Sequence, residues 1–135
     1  MTDVTFLGPL TLEKGAHDRG KGMCAMEAAA YLAGEKHSDH PECVSPVIAE
    51  FMRSWNDGLP DAQRHILKSW IPKVLHTRTS QADEETRAWL ATDWLVRECA
   101  PAWLDLVGLT ERATELRNLP ALTSQRNRRR GPVSH

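Results

Sequence analysis

From Met23 onward, Gly34, Pro41, Gly58, Pro72, Pro101, Gly108 and Pro120 cut the chain into pieces of about one helix each. Glycine readily adopts the left-handed backbone that ends a helix, and proline removes a donor and crowds the preceding turn. Between these cuts apolar residues recur at helical spacing. The pattern predicts an all-α chain: a compact bundle of about five helices over residues 1–122, with an extended N-terminal arm at 1–21 and a disordered basic tail at 123–135.

The pieces can be read in order. Val4-Thr5-Phe6-Leu7 followed by Gly8-Pro9 suits an extended arm or edge strand. Met23 to Ala33 is rich in alanine and stopped by Gly34, which predicts a central helix. Glu35 to Val44 is polar and contains Pro41, hence a loop. Ser45-Pro46 reads as an N-cap and first helical residue. That helix runs to about Asp57, with Val47, Ile48, Phe51, Met52 and Trp55 expected in the core. A further helix starts at Leu59-Pro60-Asp61 and passes Ile66, Leu67 and Trp70, with a kink at Pro72 and a short turn to His76. Ser80 and Asp83 resemble a capping box for a helix from Ala82 to about Cys99, which Pro101 should end or bend. Ala102 to Val107 and a last helix capped by Thr110 complete the set. The five tryptophans, Trp55, Trp70, Trp89, Trp94 and Trp103, read as core residues.

At 135 residues the chain can bury a core without covalent staples, and 41% hydrophobic with 26% charged residues is ordinary globular composition. There is neither an apolar run of membrane-spanning length nor a signal-like start, which predicts a cytoplasmic protein with no membrane partner. Three cysteines, Cys24, Cys43 and Cys99, favour reduced thiols or metal ligation over a disulfide framework. Net charge is -1, but four of the 17 basic residues are Arg126, Arg128, Arg129 and Arg130, so residues 1–122 carry -5. Such a tail can hold phosphates, which makes it a weak candidate for nucleic-acid binding. The acidic body argues against a dedicated nucleic-acid surface.

The chemically suggestive feature is a cluster of five soft or borderline ligands within 27 residues: His17, Cys24, His37, His40 and Cys43. Zinc takes tetrahedral sets of thiolate and imidazole, and ligands two residues apart on a loop can reach one ion while a helix supplies a third. Cys24, His40 and Cys43 would then be joined by His17, or by His37 as the alternative, in a structural zinc site that pins arm and loop to the first helix. The competing reading makes Cys24 a small core residue, leaves His37 and His40 solvated, and packs Cys43 under the loop. Glu27, one helical turn after Cys24 in an apolar stretch, needs a partner. It could accept from a ligand histidine, act as a metal-assisted base, or pair with a buried arginine or backbone donors. Asp93 and Arg97 form an i,i+4 pair that could join it. Asn56-Asp57 sits where such residues cap a helix and is assigned no chemistry. His17 to Gly22 (HDRGKG) could cradle an anion at a helix start, although such runs are more often entry loops.

The stretch MCAMEAAAYLAGE through SDHPECVSPVI, with WLATDWLVRECAPAWLDLVGL later, resembles a family of short uncharacterised proteins of actinobacteria and their phages, over about residues 12–120. The resemblance implies no activity. It implies that the positions of Cys24, Glu27, Asp39, His40 and Cys43 belong to the motif, that tryptophan often stands at the position of His37, and that His17 is therefore the better fourth ligand. It also suggests a bacterial or phage cytosol.

No phosphate loop, nucleophile elbow or HExxH motif is present. The sequence therefore points to a non-enzymatic, zinc-stabilised helical accessory protein that binds another protein, with Glu27 and Asp39 supporting the metal ligands. A small metal-dependent hydrolase with Glu27 as base is one alternative. Nucleic-acid binding through Arg126, Arg128, Arg129 and Arg130 is the other.

Overall fold

The computed structural model describes residues 3–123. The Arg-rich tail from residue 124 lies outside the described residues. The protein is all-helical, with six α-helices and no strand among the described residues. No helix among them is long and apolar enough to cross a membrane. The chain divides into two compact units, Met1–Ser80 and Gln81–His135.

In the first unit the arm departs from the expected extended run. Thr5–Leu7 is a 3-10 turn, because Asp3 Oδ1 accepts the Thr5 N–H at 2.9 Å and its hydroxyl at 2.7 Å. The turn buries Leu7. Beyond it the arm does extend, and Leu12 forms a single parallel bridge with Met23. Helix α1, Ala25–Leu32, has Cys24 as its N-cap, so Cys24 stands before the helix rather than in it. Its alanines let neighbouring elements approach closely, and Ala25, Met26, Ala28, Ala29 and Ala30 are wholly buried. Gly34 stops it as expected, and Glu35 N–H closes the end on Ala30 O at 2.9 Å.

Ser45 and Pro46 begin α2, Pro46–Gly58, in their expected roles, with the Ser45 hydroxyl accepting the Ile48 N–H. Of the expected core face of α2, Met52 is buried and Ile48 and Trp55 pack against the core, whereas Phe51 is exposed and Ala49 and Asn56 are buried besides. The segment expected as one helix after Pro60 is a 3-10 stretch, Arg64–Ser69, followed by α3, Ile71–Val74. Pro72 lies in the first turn of α3, where its missing donor costs nothing. Met26, Leu67 and Ile71 bring α1, the 3-10 stretch and α3 into one core, each contributing about 1.5–3 kcal/mol by leaving water.

In the second unit α4, Gln81–Trp94, does not break at Pro101. It passes through a π turn, Leu95–Cys99, into α5, Ala100–Leu106. Pro101 has no N–H for the carbonyl four residues back, and the widened turn, closed by Ala100 N–H on Leu95 O, carries the helix past it. Leu109 N–H bonds Leu104 O at 2.9 Å beside Gly108 and ends α5. Helix α6, Thr110–Arg117, packs on α5, and Thr110 is its first residue rather than its cap. Among the described residues of this unit only Pro101 and Ala113 are buried.

The expected tryptophan core is therefore corrected. Trp70, Trp94 and Trp103 are exposed, and Trp55 and Trp89 are only partly covered. Alanine and methionine fill the centre of the first unit instead.

Candidate functional site: a buried carboxylate between two histidines

Glu27 is the centre of the chemistry in the first unit. Its position as third residue of α1 aims the side chain back at the helix start, where unpaired amides and the positive end of the dipole favour a carboxylate. Oε1 accepts the Cys24 N–H at 2.8 Å, while the Glu27 N–H reaches Cys24 Sγ at 3.5 Å, a capping box with cysteine in the usual place of serine. The residue is 1% exposed.

Two histidines complete its shell. The His17 backbone N–H donates to Oε2 and its Nδ1 lies 2.9 Å from Oε1. His37 Nε2 lies 2.8 Å from Oε2 and 2.6 Å from the His17 carbonyl. All these acceptors lack a hydrogen, so Nδ1 of His17 and Nε2 of His37 must carry theirs. Three N–H groups thus donate to one carboxylate, and the His37 ring lies against Oε2 while bonding the His17 carbonyl. Burial pushes the Glu27 carboxyl up, but the bonds from Cys24 and His17 outweigh it and hold the group below its ordinary value. Of the partners expected for Glu27, the structure supplies backbone donors and histidines; no arginine of the described residues is among its contacts.

These contacts also fill the place of the anion cradle that His17 to Gly22 could have formed. Around the start of α1 the Cys24 and Glu27 amides are taken by the capping box, and the Ala25 N–H by Asn56 Oδ1 at 3.0 Å. Gly22, at φ +121°, lets the Glu13 carboxylate lie where a Cβ would be, and that carboxylate stands 3.6 Å from His17 Nε2.

The remaining expected ligands face elsewhere. His40 is 69% exposed in its side chain and pairs with Asp39 at 2.6 Å. Asp39 offers its carbonyl to Arg53 at 2.9 Å. The Cys43 N–H donates to Glu35 Oε1, and Cys43 O accepts the Arg78 N–H. Burial raises the Cys43 thiol and pushes the Cys24 thiol up to about 12, where the Glu27 carboxylate adds to burial while the Glu27 and Met26 backbone N–H groups act the other way. His17, Cys24, His40 and Cys43 are not brought together as one donor set. Among the described residues no three His, Cys, Asp or Glu side chains are grouped to hold a metal ion. Asp93 pairs with Arg97 at 3.1 Å and accepts the Leu122 N–H, both contacts within the second unit.

Asn56 is the residue sequence reasoning missed. It is buried, accepts from Ala25 N–H, and donates through Nδ2 to Glu13 O and Asp57 Oδ1, both at 3.0 Å. Asp57 Oδ1 in turn accepts the Gly15 N–H at 2.8 Å. Buried Arg64 holds the end of α2 through Asn56 O and Leu59 O, both at 2.7 Å, where a cation suits the negative end of the dipole. No local sequence pattern signals it, because the partners it joins lie far back in the chain.

Comparison with protein-family models, with curated proteins and with solved structures gives no match to this chain.

Proposed function

We propose that this is a non-enzymatic helical accessory protein: its first unit is a scaffold fastened by Glu27, and its second unit offers an apolar surface to a protein partner. The observation that carries the reading is the exposure of Trp103, at 67%, beside Leu95, Leu106 and Val107 on α5 and the turn before it. Monomers seldom leave apolar surface of this kind uncovered unless it binds something.

The Glu27 site supports a structural role more than a catalytic one. A general base needs a free lone pair and room for a reactant. Here three N–H groups and the His37 ring already hold the carboxylate, and the neighbouring Cys24 thiol is far from forming a thiolate at neutral pH. In this reading the arm, α1 and the loop at His37 are joined by Glu27, the task the sequence suggested for zinc.

The test is a protein in which Trp103 is the sole tryptophan, the other four being phenylalanine. In dilute solution its emission should be red-shifted and readily quenched by acrylamide. A blue, quench-resistant Trp103 in the dilute single chain would overturn the proposal.

A further inference from the structure

Among its described residues the second unit buries only Pro101 and Ala113, yet it carries a continuous apolar strip. Leu95, Cys99, Trp103 and Val107 follow one another at four-residue steps along the helix running through the π turn. A pure α-helix would let that spacing drift around its axis. The wider π turn lengthens the local repeat and keeps the four on one side. Together with Ala100 and Leu104 they line a shallow open groove of about 580 Å³.

We propose that this groove is the interface between two copies of the chain. Three observations select that occupant. The first is self-complementary shape: the strip alternates small residues, Cys99 and Ala100, with large ones a turn further on, Trp103 and Leu104. A two-fold axis crossing the helix between Cys99 and Trp103 sets each copy's tryptophan over the other's small pair, the isologous contact a symmetric dimer needs.

The second is area. Leu95, Trp103 and Val107 of the groove, with Leu106 and Trp94 beside it, expose on the order of 600 Å² of side chain, taking an aromatic as ~150–250 Å². A standard interface takes about 800 Å² from each partner, with its most apolar part at the centre. A strip this size fills that centre and leaves a polar rim.

The third is charge. The groove positions carry none, and two acids near them are neutralised within the unit, Asp93 by Arg97 at 3.1 Å and Asp105 by Arg117 at 2.6 Å. Two identical faces can meet without opposing those carboxylates. The chain's own last residues, SQRNRRRGPVSH, are polar and cationic and do not suit an apolar groove. The inference rests on the proposed function and names its partner.

Sedimentation equilibrium of the full chain across low to high micromolar concentration tests it. The mass should move from one chain to two, and Trp103→Glu and Leu106→Glu should each weaken association by at least ~30-fold, the scale of an interface hot spot. Circular dichroism on each variant establishes that it retains its helices. If a variant unfolds, the wild-type chain still gives the answer: Cys99 should react with maleimide when dilute and be protected when concentrated. A single-chain mass at all concentrations, with Cys99 and Trp103 accessible throughout, would overturn the dimer while leaving a surface for another protein. A single-chain mass with Trp103 shielded when dilute would overturn both readings.

Discussion

Glu27 holds His17 twice, by the backbone N–H to one carboxylate oxygen and by Nδ1–H to the other, both at 2.9 Å. The pairing fixes the arm's path and the histidine's tautomer together. Glu27→Gln keeps the shape but replaces one acceptor oxygen with an NH₂ facing other donors, leaving at least one of the three N–H groups unpaired. The loss should be about 3–5 kcal/mol, as for breaking a buried charged pair. A thermal melt followed at the helical band should fall by ~10 °C or more. Exposed Glu42→Gln, on the loop, should stay within about 0.5 kcal/mol of wild type.

Gly22 makes room for the Glu13 carboxylate at a φ of +121° that side chains rarely adopt. Gly22→Ala should cost about 1–3 kcal/mol in backbone strain alone, with the overlap on Glu13 added. The double variant Gly22→Ala/Glu13→Ala should recover the overlap part and not the strain. Urea denaturation of the two proteins separates the contributions. Full recovery in the double variant would show that the backbone is unstrained at this position.

Helix boundaries were legible wherever the chemistry is local. Ser45-Pro46 starts a helix and Gly34 stops one because cap and stop act within a few residues. Pro101 misled because a π turn can absorb a proline, which depends on the whole helix and not on its neighbours. The tryptophans misled for a different reason: spacing gives a face, not what covers it, and in the second unit the apolar face stays open. At the site, Glu27 stood out as a lone acid in an alanine-rich helix, and its histidine partner was already in view. Ligand counting had assigned the histidines to zinc, whereas a short loop carries His37 to the carboxylate. Asn56 was unreadable, since its partners at Glu13 and Ala25 lie more than thirty residues away in sequence.

Acid should loosen the first unit. Burial acts to raise the Asp57 carboxyl, but the Gly15 N–H, the Asn56 amide and the charges of Lys14 and Arg64 outweigh it, holding it below its ordinary 3.8. A depressed folded value means the unfolded chain binds protons first. The stabilisation is therefore complete above the unfolded value and is lost as pH falls through the folded one. Glu27 acts with the same sign below its ordinary 4.5. Unfolding free energy from urea titrations should be flat near neutrality and decline from about pH 5 towards about pH 3. Asp57→Asn keeps an acceptor for Gly15 without the charge and should decline less steeply; an equal slope would remove Asp57 from the account.

A carboxylate staple and a zinc staple differ most in what a chelator does. A closed structural zinc site contributes about 10–16 kcal/mol of apparent binding energy to folding, so stripping it unfolds small domains. Here Cys24 caps α1, His17 is held by Glu27, His40 pairs with Asp39 and the Cys43 amide is bound to Glu35. A zinc ion on the four would have to draw His17 and Cys24 from Glu27 and stabilise thiolates against the burial that raises both thiols. The expected result is less than stoichiometric zinc by elemental analysis of protein expressed in zinc-supplemented medium, and a melting temperature that EDTA leaves unchanged. Cys43→Ala should then cost about 1 kcal/mol, as for trimming a half-buried side chain. One zinc per chain, with melting lowered by EDTA and by Cys43→Ala alike, would replace the carboxylate by the metal as the element that fastens arm to helix.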